Sequence, residues 1–288
     1  MVKLDFFRVG SCCHPNWVTI QGGGWRNTTF PSLAVLLRHP VHGNYLFDTG
    51  YSEHFHTTTK HFPEKIYRLV TPIRFNPHED IREQLHTLGV DAHSIRGIFI
   101  SHFHADHVAA LIDFPKAAFH ALSSAYDGVA HLGKIAALRR AFLPALLPHD
   151  FKNRYQAIDS MRTLCALPKQ AHPFAHGYDF FGDGSVFVVE LAGHARGQMG
   201  LWIQGSDRQP TTFLVADACW SSKAFEQNIP PSWLSYLIHD NKKAYLHTLQ
   251  RIHELSQRNH DVLIMPSHCE QKLAQHTHSI ACASDCAQ

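Results

Sequence analysis

The sequence predicts an α/β protein made of two halves whose β-sheets pack together, rather than one doubly wound sheet. Short apolar runs that end at Gly or Pro, the pattern of strands, occur in both halves of the chain. Segments with apolar residues at helical spacing alternate with them, so each half has the order strands, helix, strand, helix. The chain has 288 residues, 44% of them hydrophobic, and can therefore bury a sizeable core.

The first half contains strands joined by turns, followed by two helical segments and a further strand. Residues 11–31, which are rich in Gly and Trp, separate the first two strands and predict a long hairpin or loop. The predicted strands are 4–10, 32–38, 44–50 and 97–101, and the predicted helices lie near 63–70 and at 79–89.

The second half begins with a stretch of different character, at about 120–175, which we expect to be a helical insertion or lid. Leu132, Ile135 and Phe142 lie there at helical spacing, with basic residues between them. Residues 1–275 are then a single domain with this insertion, and 276–288 a peripheral tail. The other predictions are strands at 185–191, 199–204, 211–217 and 261–266, and one long helix or a broken pair at 232–255.

Composition and charge limit the classes of function that this protein can have. The formal net charge of +2 gives no support for a nucleic-acid partner. No apolar run approaches the roughly 20 residues of a membrane span, so we expect no integral membrane association. The first residues lack a secretory pattern, which favours the cytoplasm. The chain has 25 His against 24 Asp plus Glu, so a site needs more support than two neighbouring histidines.

One turn carries four candidate metal ligands. The buried-type strand 97–101 is followed directly by His102, His104, Asp106 and His107, in the pattern H-x-H-x-D-H, and the chain then turns into a predicted helix. The spacing lets His102 and His104 point to the same side, as alternate residues of a strand do. Asp106 and His107 then face another side, so a single turn could serve two adjacent metal ions.

Three later segments each place one ligand-type residue in a turn after an apolar run. His194 lies between two glycines, Asp217 ends the strand 211–217, and His268 follows the strand 261–266. Loops at strand ends are where α/β sheets usually carry their sites. Each of these residues alone is an ordinary turn residue, but together with the H-x-H-x-D-H turn they predict one metal site.

With these motifs the sequence resembles the metallo-β-lactamase superfamily of metallohydrolases. The motifs are LFDTG (46–50), SHFHADH (101–107), GHARGQ (193–198), ADA (216–218) and PSH (266–268). The resemblance covers residues 4 to 270. It implies an αββα sandwich, with two mixed β-sheets flanked by helices, and a dinuclear metal site between the sheet edges.

The resemblance also implies roles for single residues. One metal would be bound by His102, His104 and His194, the second by Asp106, His107 and His268, and Asp217 would bridge the two. Asp48 would accept a hydrogen bond from a ligand imidazole and fix its tautomer. Five imidazoles and two carboxylates favour two zinc ions, with iron or manganese left open.

The implied reaction is hydrolysis, with Asp106 and Asp217 as the catalytic carboxylates. A hydroxide bridging the two metals would attack an ester or lactone carbonyl, and Asp106 would orient it. The chain is nearest to the N-acyl homoserine lactonase group, which acts on a small molecule. In that group a tyrosine three residues after the bridging aspartate helps bind the substrate carbonyl, whereas this chain has Trp220 there.

Substrate contacts are expected from Trp220 and from the apolar residues Phe142 and Leu146 of the insertion, while Arg139 or Arg140 could meet an anion. Three alternatives stay open. A thioesterase and a phosphodiesterase of the same superfamily would use the same metals, and a non-catalytic metal-bound sensor would bind metal without turnover. The oligomeric state is not predicted.

Overall fold

The computed structural model describes residues 1–207 and 209–277, and of the expected tail at 276–288 the residues 278–288 lie outside them. In this part of the chain the strands form two mixed sheets, one of seven strands and one of six. The strands of the first sheet are β1 (Lys3–Pro15), β2 (Asn27–His39), β3 (Gly43–Phe47), β4 (Ile73–Arg74), β5 (Ile95–Phe99), β6 (Ala118–Ala121) and β7 (Tyr155–Ala157). Those of the second are β8 (Leu164–Ala166), β9 (His176–Asp179), β10 (Val186–Glu190), β11 (Met199–Ile203), β12 (Thr212–Ala216) and β13 (Leu263–Pro266).

Both sheets combine antiparallel and parallel pairs. The first has the order β4-β1-β2-β3-β5-β6-β7, antiparallel up to β3 and parallel from there to β7. The second has the order β13-β12-β11-β10-β9-β8, antiparallel except for the parallel pair of β12 and β13. The segment 11–31 forms a long hairpin, in which β1 and β2 stay paired as far as Pro15 and Asn27.

Helices cover the outer faces of both sheets. The α-helices are α1 (Asn16–Thr19), α2 (Glu53–Thr58), α3 (Lys65–Val70), α4 (Ile81–Thr87), α5 (Ala105–Val108), α6 (Ser123–Asp127), α7 (Lys134–Arg139), α8 (Phe151–Arg154), α9 (Ile158–Met161), α10 (Ser222–Glu226), α11 (Lys242–Arg258) and α12 (Glu270–His276). Short 3-10 helices occupy Pro77–Glu79, Ala92–Ser94, Leu111–Asp113, Pro144–Leu146, Lys169–Ala171 and Trp233–Leu237. No described helix has the length and apolarity needed to cross a membrane.

The alternation of side chains along the strands creates three apolar layers. Val35 and Leu37 of β2 face the second sheet, where they meet residues such as Leu201, while Leu36 between them faces the helices outside. On the second sheet Trp202 points outward and packs in the layer formed with α10 and α11. The layers therefore have the order helices, sheet, sheet, helices, which confirms the expected αββα sandwich.

Two segments show how tertiary structure shapes the predicted elements. The stretch 120–175 contains α6 to α9 and also β7 and β8, which are edge strands of the two sheets, so the chain crosses from one sheet to the other there. Its action as a lid stays a prediction. The segment 232–255 is a broken pair, in which the 3-10 helix Trp233–Leu237 precedes α11.

The layer between the sheets can be tested with one substitution. Leu201 is fully buried opposite Leu214, so Leu201→Ala removes apolar contacts and leaves a cavity. We expect the free energy of unfolding, measured by urea denaturation, to fall by about 2–5 kcal/mol. The control is Leu69→Ala, at a leucine that is 62% exposed, which should change it by about 0.5 kcal/mol or less. Equal effects of the two substitutions would contradict this packing.

Candidate metal centre

The predicted ligands meet because the strands that carry them all point the same way. Asp48 and the turn that begins at His102 follow β3 and β5, which are parallel neighbours in the first sheet. In the second sheet β10 and β12 are both antiparallel to β11, and β13 is parallel to β12. The turns after these three strands carry His194, Asp217 and His268. The carboxyl ends of five strands therefore bring the site together at one edge of the sandwich.

The structure gathers all seven predicted ligands into two adjacent groups of donor atoms. All seven side chains are buried, so the donors are shielded from bulk water. Within each group the atoms lie within 4.8 Å of one another. The first group is His102, His104, His194 and Asp217, and the second is Asp106, His107 and His268.

Asp48 sets the tautomers of two imidazoles, directly and through Ser101. The backbone amide and the hydroxyl of Ser101 donate to its two carboxylate oxygens, at 2.8 and 2.7 Å, and His107 Nδ1 donates at 2.7 Å. Because the Ser101 hydroxyl proton is used on Asp48, its oxygen accepts from His102 Nδ1 at 3.0 Å. In the neutral form of His102 and His107 the lone pair is therefore on Nε2, and both Nε2 atoms are buried with no hydrogen-bond partner among the described residues.

His268 is oriented in the same way by a backbone carbonyl. Its Nδ1 donates to the carbonyl oxygen of Pro31 at 2.7 Å, so its Nε2 lone pair faces Asp217 at 3.1 Å and Asp106 at 3.3 Å. A lone pair and a carboxylate oxygen repel at this distance unless a positive charge lies between them. A proton can supply that charge, and so can a divalent cation.

The three imidazoles of the first group are neutral. Burial lowers the pKa of His102 and His194 well below the usual range, and lowers that of His104 to about 4, so their lone pairs are available at neutral pH. His194 Nε2 lies 3.0 Å from His104 Nδ1 and 3.3 Å from Asp217 Oδ2. Such separations are close to those between ligands that share one ion at about 2.0–2.2 Å. The donors therefore fit a divalent metal.

The charged members of the site shift one another's pKa. Burial opposes the protonated form of His107 and His268, but the carboxylates of Asp106 and Asp217 outweigh it and raise both pKa values. Burial likewise opposes ionisation of Asp217, yet His268 and His107 hold its pKa well below the usual range. For Asp48 burial is the larger effect and raises the pKa, against the influence of His107.

Unusual backbone geometry holds the turns in place. Asp48 and Ala216, at the ends of β3 and β12, have φ angles of +56° and +48°, a region that non-glycine residues rarely adopt. The amide of Asp48 is held by the carbonyl oxygen of Phe99 at 2.9 Å. Gly193 has a φ of +131°, and a Cβ there would collide with the backbone nitrogen of Tyr245. Such strain is common at functional sites, where the surrounding structure fixes it.

A third cluster of possible donors, formed by His39, His42 and Asp183, has different chemistry. His39 Nδ1 accepts hydrogen bonds from the amides of Val41 and His42, both at 3.1 Å. The proton of the neutral ring is therefore on Nε2, which donates to Asp183 at 2.9 Å. This nitrogen has no lone pair for a metal, so the contact is a structural hydrogen bond.

The residues expected to contact substrate divide into two sets. The ring of Trp220 lies 4.5 Å from that of His268 and 5.5 Å from that of Phe30, so it forms a wall of the metal centre. Phe142 and Leu146 are 3% and 0% exposed and belong to the core beneath the first sheet. Both side chains pack inward there, and their contact with substrate stays a prediction.

Three residues near the site were not identified as site residues by the sequence analysis. Ser101 connects Asp48 to the imidazoles, and its position at the end of a strand before H-x-H was a usable signal. The ring of His239 packs edge-to-face against that of His194, with 4.8 Å between the ring centroids, and burial lowers the pKa of His239 to about 4. Nothing in a chain with 25 His distinguishes it from the others. Arg196 lines a cavity beside His194, and its role depends on distant parts of the chain.

Buried imidazoles and carboxylates at a shared edge of two packed sheets define a divalent-metal-binding αββα protein. The chain belongs to the metallo-beta-lactamase superfamily, whose family model matches residues 27–206. All seven candidate ligands are buried at this edge of the sandwich.

Known relatives extend the similarity over almost the whole chain. The N-acyl homoserine lactonase AttM of Rhizobium radiobacter is 22% identical over 273 residues, 93% of each chain. A solved N-acyl homoserine lactone hydrolase with the product N-hexanoyl-L-homoserine at its catalytic metal center is 18% identical, with a TM-score of 0.69 and 95% of each chain covered. AidC, a dizinc quorum-quenching lactonase, is 15% identical with a TM-score of 0.62, covering 93% of this chain and 88% of AidC. At these identities the structural similarity shows the fold.

The role of Asp48 predicts a loss of metal affinity in Asp48→Asn. The substitution keeps the size of the side chain but removes the charge that fixes His107 and holds the Ser101 network. We expect metal affinity, measured by competition with a chromophoric chelator, to fall about 10–100-fold. Asp183→Asn is the matched control, since Asp183 also accepts from a histidine but lies outside the two groups. Equal losses in the two variants would refute the assignment.

The raised pKa values of His107 and His268 predict proton release on metal binding. Both rings take up a second proton, on Nε2, more readily than a free imidazole does, and a metal must displace that proton to reach Nε2. Affinity for the second ion should therefore fall by about tenfold per pH unit for each displaced proton as the pH is lowered. Calorimetry in buffers of different ionisation enthalpy counts the protons, and a count of zero near pH 7 would contradict the assignment.

Proposed function

We propose that this chain is a dinuclear zinc hydrolase that opens lactones of the N-acyl homoserine lactone type. The observation that carries the proposal is the position of Asp217 between the two groups of donors. Its Oδ1 lies 3.3 Å from His107 Nε2, and its Oδ2 lies 3.3 Å from His194 Nε2 and 3.1 Å from His268 Nε2. A carboxylate that faces donors of both groups is suited to bridge two ions.

The donor chemistry supports zinc. His102, His104 and His194 would hold one ion, and Asp106, His107 and His268 the other, with Asp217 shared. Imidazole and carboxylate ligands suit Zn²⁺, and neither group contains a thiolate. Iron and manganese use the same ligand types, so analysis of metal content in the purified protein is the direct test of zinc.

The proposed reaction assigns different tasks to the two carboxylates. When bound at such a site, divalent cations make a nucleophile available at neutral pH and polarise the substrate carbonyl. Asp217 is enclosed, with 2% of its side chain exposed, and serves to hold the site together. The Asp106 side chain is 11% exposed and opens toward solvent, so it can orient the attacking water, accept its proton and return that proton to the leaving alkoxide.

Trp220 is proposed as the wall against which the lactone ring rests. Its indole packs on His268, and its single N–H can donate one hydrogen bond to a substrate oxygen. The lactone as substrate class is supported by the names of the relatives. The metal centre alone suits a thioester or a phosphodiester equally well, so these are the competing outcomes of the test.

The test compares an N-acyl homoserine lactone, an acyl thioester and bis-p-nitrophenyl phosphate as substrates of the metal-loaded protein. We expect the lactone to be hydrolysed most efficiently, with activity lost on removal of metal by a chelator and restored by Zn²⁺. His104→Ala, which deletes one donor, should lower kcat/KM by about 100-fold or more. His42→Ala, at a histidine outside the two groups, is the control and should leave kcat/KM unchanged.

Each other outcome has a definite meaning. Faster turnover of the thioester or the phosphodiester would replace the proposed substrate class. Stoichiometric binding of two ions without turnover of any of the three substrates would favour a metal-bound sensor. Full activity after complete metal removal would end the hydrolase proposal in this form.

A further inference from the structure

A small cavity opens beside the first group of donors and has a distinctive lining. Its walls include the ligands His104 and His194, and two arginines, Arg140 and Arg196, also face it. Among the residues that line it there is no aspartate or glutamate. The remaining walls are formed by apolar or small residues, which are Phe103, Ala125 of α6, Gly128 and Val129 just after that helix, Ala195 and Ile238. The cavity thus presents positive charge next to the site of reaction.

The two arginines differ in their partners. Arg140 donates to Asp240 at 2.8 Å, so its charge is balanced within the protein. Arg196 forms no salt bridge with any residue in the described ranges 1–207 and 209–277, and its side chain is exposed. Among the described residues that line the cavity, Arg196 is therefore the guanidinium that no carboxylate pairs.

The position of Arg196 is supported by the backbone of the facing loop. A Cβ built on Gly128 would lie 3.1 Å from Arg196 Cδ, so the stem of the arginine runs close over a residue that has no side chain. Long basic side chains commonly pack their stems in this way while the charged head stays in water. Arg139, by contrast, is exposed on α7 and does not line the cavity.

The size of the cavity limits what can enter it. Its volume is about 50 Å³, whereas pockets that enclose a drug-sized ligand measure roughly 300–1,000 Å³. A long acyl chain cannot be enclosed there, but a short polar group can. A guanidinium binds carboxylate and phosphate groups through two parallel hydrogen bonds, so the complementary group is an anion.

We propose that Arg196 is a specificity-determining residue and that it binds a carboxylate on the acyl part of the substrate. This inference rests on the proposed lactonase function and narrows its substrate class to lactones with a short, negatively charged acyl group. Arg140, held by Asp240, also lines the cavity.

The experiment compares two lactones of equal chain length with the metal-loaded protein, N-glutaryl-homoserine lactone, which ends in a carboxylate, and N-pentanoyl-homoserine lactone, which ends in a methyl group. We expect kcat/KM to be at least about tenfold higher for the glutaryl compound, mainly through a lower KM, and this ratio to fall with added salt. In Arg196→Met the ratio should fall to near 1, and Arg196→Lys, which retains the charge, should keep part of it. Arg139→Met is the matched control and should keep the full ratio.

Binding provides a readout that does not depend on turnover. The ring-opened products, N-glutaryl- and N-pentanoyl-homoserine, are titrated into wild-type protein and Arg196→Met by calorimetry. Tighter binding of the glutaryl product that is lost in Arg196→Met supports the inference even if neither lactone is hydrolysed, an outcome that would defeat only the proposed function. Equal binding of the two products by the wild type, or an unchanged ratio in Arg196→Met, would overturn the inference.

Discussion

Asp48, Asp106 and Asp217 are buried among imidazoles, and each charge buried in this way costs several kcal/mol unless it is compensated. Asp48 is compensated within the protein by the hydroxyl and amide of Ser101 and by the ring of His107. Asp106 and Asp217 instead face nitrogen lone pairs, an arrangement that is stable only when protons or metal ions supply positive charge. The surrounding fold therefore has to hold together a group of side chains that is electrostatically unfavourable without bound protons or metal ions.

The rigidity that this requires comes from the sandwich. Five strands end at the same edge, and the apolar layer between the sheets fixes their relative positions. The strained residue Asp48 directly follows β3, and the strained residue Ala216 is the last residue of β12. The strain is therefore held by strands that cannot move independently. A site built on strand ends is more precise than one built on long loops.

The sequence predicted the sandwich and all seven donors because both leave local signals. Periodicity marks strands, and H-x-H-x-D-H concentrates four donors in one turn. The burial of Phe142 and Leu146 could not be predicted, because apolar residues at helical spacing look the same whether they face a pocket or the core. The roles of Ser101 and Arg196 depend on what the fold brings beside them, and no local pattern records that.

The turn 193–198 links chemistry to recognition. Its conformation places His194 in the first group of donors. Two residues later, the same turn places Arg196 at the cavity wall. Gly197, with a φ of +64°, lets the turn lie against α6, where a Cβ would collide with the backbone nitrogen of Ala125. Three residues after Ala125, Gly128 leaves room for the stem of Arg196. The packing that places a ligand at the metal centre thus also places a guanidinium beside it, so the residue at position 196 can change specificity without displacing His194.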